Sequence, residues 1–449
     1  MRINEWLDSI ADAGRELWQR SRHNRRGGTR QIEYLCEELS SSRGEAMGTA
    51  VAQELLAAYQ RLDEAGRLAF FRLLQRSYAP RREEILQCAA RYQDEGSEDD
   101  LRALQRALDG GRRSLFRRIN MAAGGMATIL GMRRDLLRLL ADHQDLKSVD
   151  TDLLYVLKSW FNRGFLDLRA ISWETPAHIL EKLIAYEAVH EMDGWDDLRR
   201  RLAADRRCFA FFHPALPDEP LIFVEIALVE GMSGNVQELL AGPVGKPDRK
   251  IDTAVFYSIS NCQEGLLGIS FGNFLIKQVV MELRRNFPEL RQFVTLSPIP
   301  GFRAWLEREL KTPVLTQLSE AQRQLLGDQP VREWQCNPAL AEQMRAVLMP
   351  LCAIYLAQAR RGEQPLDAVE RFHLSNGARI ERLNWLGDTS DKGLAQSCGM
   401  LVNYGYLLRE VEANHEAYIN AHAVVSSNGF RKLLNESREL QAGTGIEQS

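Results

Sequence analysis

In the first 190 residues of the sequence, apolar side chains recur every three or four positions, a spacing typical of amphipathic helices. The pattern over residues 48–77 predicts one long helix. Its apolar stripe consists of Leu55, Leu56, Tyr59 and Leu62. Ser97 starts another predicted helix, which Gly110 and Gly111 end. Strand patterns are almost absent, and no repeat has the period of roughly 34 or 40 residues found in helical arrays. We therefore expect an all-helical domain over residues 1–195.

Near residue 205 the pattern changes to continuous apolar runs, which are typical of buried strands. These runs predict strands at Cys208–Phe212, Leu221–Val229, Thr253–Ile259 and Phe293–Leu296. A proline-rich loop joins the first two strands, and a helical stripe from Leu275 to Leu283 separates the last two. Strand, helix and strand in this order predict a crossover unit of a mixed sheet.

The rest of the chain continues this mixture of helices and strands. Its patterns indicate a long helix near 338–360, a strand pair near 369–386 and a helix over 391–403. We therefore expect a mixed-sheet domain over residues 196–449. The predicted fold class is α+β, with the all-helical domain preceding the mixed-sheet domain.

Composition narrows the class of protein to a soluble, globular one. Of the 449 residues, 45% are hydrophobic and 26% are charged, and the formal net charge is −4. Such a charge creates no general attraction for nucleic acids or anionic membranes. No apolar run approaches the roughly 18 residues of a membrane-spanning helix. We therefore expect no nucleic-acid partner and no membrane partner.

Cysteine usage and the amino-terminal residues bear on the compartment. The seven cysteines are scattered and include no Cys-x-x-Cys pair, which argues against a disulfide scaffold and a zinc ribbon. The first sixteen residues already contain four acidic side chains, unlike acid-poor transit peptides. These observations predict a cytoplasmic protein.

A glycine-containing segment, Gln263–Asn273, lies between the third predicted strand and the following helix. Glycines let a backbone approach an anion, and the free N–H groups of a helix start point toward that anion. The segment is neither a Walker A loop nor a GxGxxG fingerprint. The local pattern alone leaves phosphate binding and a tight, closely packed turn equally open.

Ser297 follows the fourth predicted strand, and Pro298 and Pro300 fix the turn after it. Because open sheets bind ligands beyond the carboxyl ends of their strands, this serine is a candidate polar contact. The alternative is a helix cap for the segment that begins near Phe302. The local pattern favours the cap.

Histidines are the candidate proton-transfer groups. His373 precedes Asn376 at the end of a predicted strand, and an imidazole at such a turn can exchange protons near neutral pH. A lone histidine is more often structural, however. His213 opens the proline-rich loop and fits either a site residue or a loop anchor. His415 and His422 are seven residues apart, rather than the four of a zincin motif, so we predict no metal site.

These motifs together resemble the malonyl-CoA decarboxylase family, in the same order along residues 205–408. The most specific are Ser297–Phe302 and the His373-Leu374 pair followed by Asn376–Ala378. Further matching segments are Phe256–Ser260, Gly265–Gly272, Phe274–Lys277, Asn384-Trp385, Ser397–Gly399 and Asn403-Tyr404. Chance agreement of all these segments is implausible.

The resemblance implies a helical amino-terminal domain that mediates self-association, to a tetramer or a dimer. It also implies a catalytic domain with the fold of the GNAT acetyltransferases. The implied reaction converts malonyl-CoA to acetyl-CoA and CO2 with no metal, biotin or nicotinamide, so CoA takes part only as a portion of the substrate. The expected partners are therefore malonyl-CoA, acetyl-CoA and further copies of the chain.

The resemblance also assigns the site residues. Ser297, His373 and Tyr406 match the family's active-site serine, histidine and tyrosine. The loop expected to bind CoA consists of Leu267, Gly268, Ile269, Ser270, Phe271, Gly272 and Asn273. His213 and Asn376 are further candidates. The corresponding hypothesis is that Ser297 binds the malonyl carboxylate, His373 protonates the enolate carbon, and Tyr406 with backbone N–H groups supports the thioester end.

Two other functions fit parts of the pattern. A GNAT-type acyltransferase would share the loop and the fold but would transfer an acyl group to an acceptor. A non-catalytic scaffold would only bind CoA. The Ser297 and His373 motifs, which ordinary acetyltransferases lack, and the matching Tyr406 argue against both. Release of CO2 from malonyl-CoA would distinguish the three functions.

Overall fold

The computed structural model describes residues 29–41, 44–242, 250–269, 274–311, 318, 320–327 and 337–442. The chain divides into two compact units. The first contains Met1–Leu166 with two short later segments, His213–Pro217 and Gln263–Ser270. The second contains Asp167–Phe212, Asp218–Cys262 and Phe271–Ser449. A helical region thus precedes a mixed-sheet region, as the sequence pattern predicts.

Most of the described part of the first unit is α-helical. The described helices are α1 (Thr29–Ser40), α2 (Glu45–Gln60), α3 (Glu64–Ser77), α4 (Arg82–Glu95), α5 (Glu98–Ile119), α6 (Gly125–Leu139) and α7 (Lys147–Trp160). Apolar faces of these helices bury large side chains such as Tyr59, Phe70 and Phe71, whose rings meet edge to face. Burial of this apolar surface is the main favourable term in packing the helices.

The single helix predicted over residues 48–77 is wrong, because the segment forms two helices. The first, α2, ends at Gln60, and α3 begins four residues later. The carboxylate of Asp63 accepts the N–H of Gly66 at 2.8 Å. Such a cap satisfies one of the free donors at a helix start and so favours a new helix at this point.

The next predicted boundaries agree better with the structure. Ser97 starts α5, since its hydroxyl oxygen accepts the N–H of Asp100 at 3.1 Å. Gly110 interrupts α5 with a φ of 63°, a conformation that glycine adopts without strain. The helix then resumes and continues to Ile119, so the glycine pair marks a break within α5 and not its end.

The second unit contains further helices, defined here with their bounds. They are α8 (Ala177–Tyr186), α9 (Trp195–Arg201), α10 (Val236–Ala241), α11 (Phe274–Asn286), α12 (Phe302–Glu309), α13 (Glu320–Gly327), α14 (Pro338–Gln358), α15 (Ala368–Ser375), α16 (Asp391–Ser397), α17 (Val411–Ala421) and α18 (Asn428–Ala442).

A mixed sheet organises the second unit. Its strands are β1 (Asp167–Ile171), β2 (Arg206–Phe212), β3 (Ile222–Val229), β4 (Thr253–Asn261), β5 (Gln292–Thr295), β6 (Ser297–Pro298), β9 (Arg379–Asn384) and β10 (Leu401–Gly405), while β7 (Arg360–Arg361) and β8 (Gln364–Pro365) pair separately. The order is β1-β2-β3-β4-β5-β10-β6, with β9 paired to β10. Among the strand pairs of this sheet that the structure describes, β4 and β5 alone are parallel, with Phe256 opposite Thr295. The four strands predicted from apolar runs are confirmed, and α11 connects the parallel pair.

The sheet begins earlier in the chain than the sequence pattern indicates. Strand β1 pairs with β2, although residues 167–171 precede position 196, where we placed the start of the mixed-sheet domain. In β1 only Ile171 is buried. An edge strand of this kind covers little of the core, so it lacks the apolar run by which buried strands are recognised.

The strand pair predicted near residues 369–386 is wrong in its first half, which forms α15. The carboxylate of Asp367 accepts the N–H groups of Val369 and Glu370 at 2.9 and 3.0 Å and so starts this helix. The second half forms β9 as predicted. His373 therefore lies in a helix and not at the end of a strand.

The helix predicted over residues 391–403 also ends early. Cys398, directly after α16, adopts a left-handed φ of 54°, and Gly399 follows with a φ of 79°. These two residues turn the chain, and β10 starts at Leu401. The spacing of apolar residues did not distinguish the short helix α16 from the strand β10 that follows it.

The long helix predicted near 338–360 is confirmed as α14. Contrary to our expectation, this helix is long and apolar enough to cross a membrane, with a mean hydropathy of 1.3 over its best window. Half of that window is buried inside the protein, and Pro350 lies within the helix. Residues such as Leu348 and Tyr355 are fully buried. These features are those of a core helix.

Candidate active site

Ser297 is the first residue of β6, two positions after the end of β5, and is buried, with 6% of its surface exposed. Its hydroxyl donates to Thr295 Oγ1 at 2.8 Å, and its Oγ lies 3.1 Å from His373 Nε2. The alternative of a helix cap is wrong, because Gly301 occupies the cap position of α12 and no side chain caps that helix. Pairing of Ser297 with Val402 of β10 fixes the backbone of the serine.

His373 occupies the last turn of α15, and its imidazole is buried between aromatic side chains. The ring stacks on Tyr404, with centroids 4.5 Å apart and an angle of 25° between planes. Its Nδ1 lies 2.9 Å from the hydroxyl oxygen of Tyr406. Backbone pairing holds Tyr406 in turn, since its N–H donates to the carbonyl of Phe293 at 2.8 Å.

The hydrogen bonds run in one direction through these side chains. Because the Ser297 hydroxyl donates to Thr295, Ser297 Oγ accepts a hydrogen bond from His373 Nε2–H. A neutral imidazole carries one N–H and one acceptor nitrogen, so Nδ1 accepts from the Tyr406 hydroxyl. The network therefore assigns the Nε2–H tautomer to His373.

Burial keeps the histidine and the tyrosine uncharged. Desolvation lowers the pKa of His373 from 6.5 to about 3. Desolvation also raises the pKa of Tyr406 well above its ordinary value of 10. Both effects have one cause, since a buried ion loses its hydration. At neutral pH the linked side chains of Tyr406, His373, Ser297 and Thr295 are all uncharged.

A cavity of about 250 Å³ opens beside Ser297 and His373. Its apolar wall includes Val189, Ile222, Phe256, Ile259, Val369 and Phe372. Among the described residues that line the cavity, none is Lys, Arg, Asp or Glu. A ligand that reaches Ser297 thus meets a neutral wall with few polar groups. This arrangement strengthens hydrogen bonds from the serine and the histidine, since little water competes.

The loop expected to bind CoA is described only in part. Leu267, Gly268 and Ile269 are described, whereas Ser270, Phe271, Gly272 and Asn273 lie outside the described residues. Gly268 has a φ of 77°. Just before the loop, a Cβ on Gly265 would collide with the carbonyl oxygen of Leu130. Close packing therefore explains Gly265, and CoA binding by the following residues stays a prediction.

His213 belongs to the first compact unit, where it packs as a loop anchor would. Its ring lies 5.0 Å from that of Phe161, and its Nδ1 accepts the N–H of Ala215 at 3.1 Å. A role for His213 in the site stays untested.

Asn376 lies at the carboxyl end of α15, three residues after His373. Its side-chain amide donates to the carbonyl of Phe372 at 2.6 Å. Its Oδ1 is buried and has no hydrogen-bond partner within the part of the chain that the structure describes. Asn376 thus closes the helix that carries His373.

Thr295 and Tyr404 are site residues that the sequence analysis missed. Thr295 contacts Ser297, and Tyr404 stacks on His373. The period of two in a strand was the available signal for Thr295, since it places residues 295 and 297 on one face. No sequence signal pairs Tyr404 with His373. As for metals, no group of three or more His, Cys, Asp or Glu within the described residues could hold an ion.

Comparison with known proteins places this geometry in a family. The model of the malonyl-CoA decarboxylase C-terminal domain matches residues 164–443, and that of the N-terminal domain matches residues 78–161. The chain belongs to the malonyl-CoA decarboxylase family. The resemblance inferred from the motifs is confirmed.

Individual relatives agree with the family models. The chain is 36% identical over 352 residues to "Malonyl-CoA decarboxylase, mitochondrial" of Anser anser anser, covering 73% of this chain and 70% of the relative. The protein of the same name from Rattus norvegicus is 37% identical over 357 residues, covering 74% and 72%.

Solved structures of malonyl-CoA decarboxylases resemble this chain over most of its length. That from Rhodopseudomonas palustris has a TM-score of 0.85 and 46% identity, covering 91% of this chain and 100% of its own. That from Agrobacterium vitis has a TM-score of 0.84 and 46% identity, covering 90% and 99%. In this member of the malonyl-CoA decarboxylase family, Ser297, His373 and Tyr406 lie in one hydrogen-bonded chain.

Proposed function

We propose that this protein converts malonyl-CoA to acetyl-CoA and CO2. The observation that carries the proposal is the hydrogen-bonded chain of Ser297, His373 and Tyr406. Ser297 and His373 of this chain line an apolar cavity. Membership of the malonyl-CoA decarboxylase family supports the same substrate and reaction.

The reaction needs no external electron acceptor. The bond between the α-carbon and the carboxylate carbon breaks, CO2 leaves, and the electron pair moves into the thioester carbonyl to form an enolate. One proton then adds to the α-carbon, so each turnover consumes one proton. Because the thioester is the electron sink, neither metal, biotin nor nicotinamide takes part, and CoA enters with the substrate.

The neutral cavity suits the departure of CO2. A carboxylate without a cationic partner in apolar surroundings is destabilised by the loss of its hydration. In the transition state the charge spreads from the carboxylate toward the thioester oxygen, and the departing CO2 is neutral. The penalty of burial therefore falls as the bond breaks, which lowers the barrier.

We assign the residues as follows. The Ser297 hydroxyl donates to the malonyl carboxylate and orients it. His373 is neutral, because burial lowers its pKa to about 3, so the proton that it gives to the enolate carbon is its Nε2–H. The Tyr406 hydroxyl donates its proton to Nδ1 in the same step, so the imidazole never carries a net charge. The tyrosinate formed in this step takes up a proton from water before the next turnover, and this is the proton that each turnover consumes.

This role for Tyr406 differs from the thioester contact expected from the resemblance. The 2.9 Å contact between its hydroxyl and Nδ1 favours the new assignment. The loop from Leu267 to Asn273 binds the CoA pyrophosphate and pantetheine, as in the hypothesis from the resemblance.

The test is incubation of purified protein with malonyl-CoA, without added metal or acyl acceptor, while acetyl-CoA and CO2 are both measured. We expect the two products in equal amounts at catalytic rates, with acetyl-CoA alone as a control that releases no CO2. CoA binding without turnover would favour a scaffold. Acyl transfer to an added amine without CO2 release would favour an acyltransferase.

We further propose a cytoplasmic homo-oligomer, a tetramer or dimer formed through the helical part. Exposed apolar side chains on α4 and α5 support the oligomer, since Leu86 is 58% and Leu108 is 51% exposed. The free cysteines of the described residues support a reducing compartment. Light scattering after gel filtration tests assembly, and a monomer would contradict it. Cell fractionation tests the compartment, and recovery with an organelle fraction would contradict it.

A further inference from the structure

Thr295 accepts three hydrogen bonds within the site. Its Oγ1 accepts the Ser297 hydroxyl proton at 2.8 Å and the backbone N–H of Tyr404 at 3.1 Å. Its carbonyl accepts from the side-chain amide of Asn403 at 2.6 Å. The residue is fully buried. Its hydroxyl oxygen therefore has a fixed position and serves as a constant acceptor for Ser297.

This acceptor determines where the Ser297 proton lies. With the proton directed to Thr295, a lone pair of Ser297 Oγ faces His373 Nε2 at 3.1 Å, and Nε2 must carry a hydrogen to complete the bond. Without an acceptor at position 295, the Ser297 hydroxyl would turn to the nearest remaining one, Nε2. The ring would then carry its hydrogen on Nδ1 and donate it to the Tyr406 oxygen.

We infer that Thr295 is a positioning residue that selects the Nε2–H tautomer of His373 through the hydroxyl of Ser297. The inference gains its catalytic meaning from the proposed function, in which Nε2–H is the proton delivered to the enolate. Thr295 holds the serine proton until a malonyl carboxylate arrives. A charge-assisted hydrogen bond is roughly twice as strong as a neutral one, so the serine then donates to the carboxylate while Nε2–H stays in place.

The direct test is the tautomer itself. Protein labelled with ¹⁵N-histidine is examined by long-range ¹H–¹⁵N correlation, in which protonated and unprotonated ring nitrogens resonate far apart, and His373→Gln identifies the signals of His373. We expect Nε2–H in the wild type and in Thr295→Ser, which keeps the hydroxyl. Thr295→Val keeps the shape but removes the acceptor, and we expect Nδ1–H there.

Two spectra would overturn the inference. One is a wild-type protein with Nδ1–H, a result that needs no variant. The other is a folded Thr295→Val protein that keeps Nε2–H. Thr295→Val also leaves the Tyr404 N–H without its acceptor, so circular dichroism must first show that the variant is folded. If it is not, the wild-type and Thr295→Ser spectra decide.

Kinetics give a second test. In Thr295→Val, binding of the substrate must also shift His373 from the Nδ1–H to the Nε2–H tautomer, and this shift weakens binding. Thr295→Val should therefore raise KM roughly five- to tenfold and change kcat less. In a Ser297→Ala background, Thr295→Val should have no further effect, because Thr295 acts through that serine. If Thr295→Val raised KM by the same factor in the wild-type and the Ser297→Ala backgrounds, the role of Thr295 would be purely structural. An inactive wild type would refute the proposed function, while the tautomer spectra would still decide the role of Thr295.

Discussion

At the scale of single residues, the candidate site depends on keeping one imidazole neutral. His373 is enclosed by Tyr404, Tyr406 and Phe372, and both ring nitrogens have neutral partners. No carboxylate is hydrogen-bonded to the ring in the part of the chain that the structure describes. Desolvation therefore determines its charge state, and in the proposed mechanism the histidine acts as a neutral acid.

Replacement of His373 removes the proposed proton donor. A general acid contributes about 10²–10⁴-fold, so His373→Asn should lose at least about 100-fold in kcat for CO2 release. The measurement is steady-state turnover of malonyl-CoA, with circular dichroism to show an unchanged fold. A normal kcat in the folded variant would remove His373 from the mechanism.

Ser297→Ala should be the milder change. In the proposed mechanism Ser297 orients the carboxylate but supplies no proton to carbon, so we expect a loss in kcat smaller than that of His373→Asn under the same assay. If the serine variant is the more damaged of the two, Ser297 takes part in proton delivery and the assignment above must be reversed.

The buried histidine also makes stability depend on pH. The folded-state pKa of His373 is about 3, below the 6.5 of the exposed group, so below pH 6.5 the unfolded chain binds more protons than the folded one. Stability should therefore be complete above about pH 6.5 and fall as the pH decreases toward 3, by at most about 1.4 kcal/mol per pH unit from this residue. Urea unfolding of wild type and His373→Gln checks this, since the variant should show a shallower decrease. If the free energy of unfolding of the two proteins decreased equally with falling pH, the pKa of His373 would not be lowered in the folded state.

At the scale of elements, α15 carries the histidine and Asp367 holds the helix start. Asp367 accepts the N–H groups of Val369 and Glu370, and its other oxygen accepts from Tyr355 and Gly301. The carboxylate thus links α15 to α14 and to the turn before α12. Any loosening of this cap should displace His373 as well as destabilise the helix.

We expect Asp367→Ala to lower both stability and turnover. Loss of a helix cap costs about 0.5–2 kcal/mol, and a small displacement of a catalytic group can reduce kcat roughly tenfold or more. Asp63→Ala, which removes the cap of α3 in the first unit, is the matched control and should lower stability without lowering kcat. Equal kcat in the two variants would show that the Asp367 cap does not position His373.

At the scale of the whole molecule, the reactivity of the cysteines depends on whether the protein is folded. The six that the structure describes are unpaired and buried, and burial raises the pKa of Cys208, Cys262 and Cys352 and brings that of Cys398 to about 11. A buried thiol with a raised pKa reacts slowly. The fold should therefore protect nearly all of the cysteines from small reagents.

Titration with a chromogenic disulfide at pH 8 tests this protection. We expect at most one or two thiols to react quickly in the native protein, and all seven to react after unfolding in denaturant without reductant. Fewer than seven in the unfolded protein would reveal a disulfide. Rapid reaction of most thiols in the native protein would contradict the buried placement.

The sequence by itself determined the elements whose signal is local. Continuous apolar runs predicted β2, β3, β4 and β5, because a strand buried on both faces needs apolar residues throughout. Motifs such as Ser297–Phe302 also identified the family and the residues Ser297, His373 and Tyr406. Local patterns failed where they were weak, as in edge strand β1, or where a cap decided the outcome, as Asp367 did for α15.

The tertiary structure alone decided which atoms meet. Ser297 and His373 are 76 residues apart, and His373 and Tyr406 are 33 apart, so their contacts depend on the packing that brings β6, β10 and α15 together. The same packing excludes water from the imidazole and thereby sets its pKa. Residue types and spacing are properties of the chain, whereas hydrogen-bond direction and desolvation arise only when distant segments share one core.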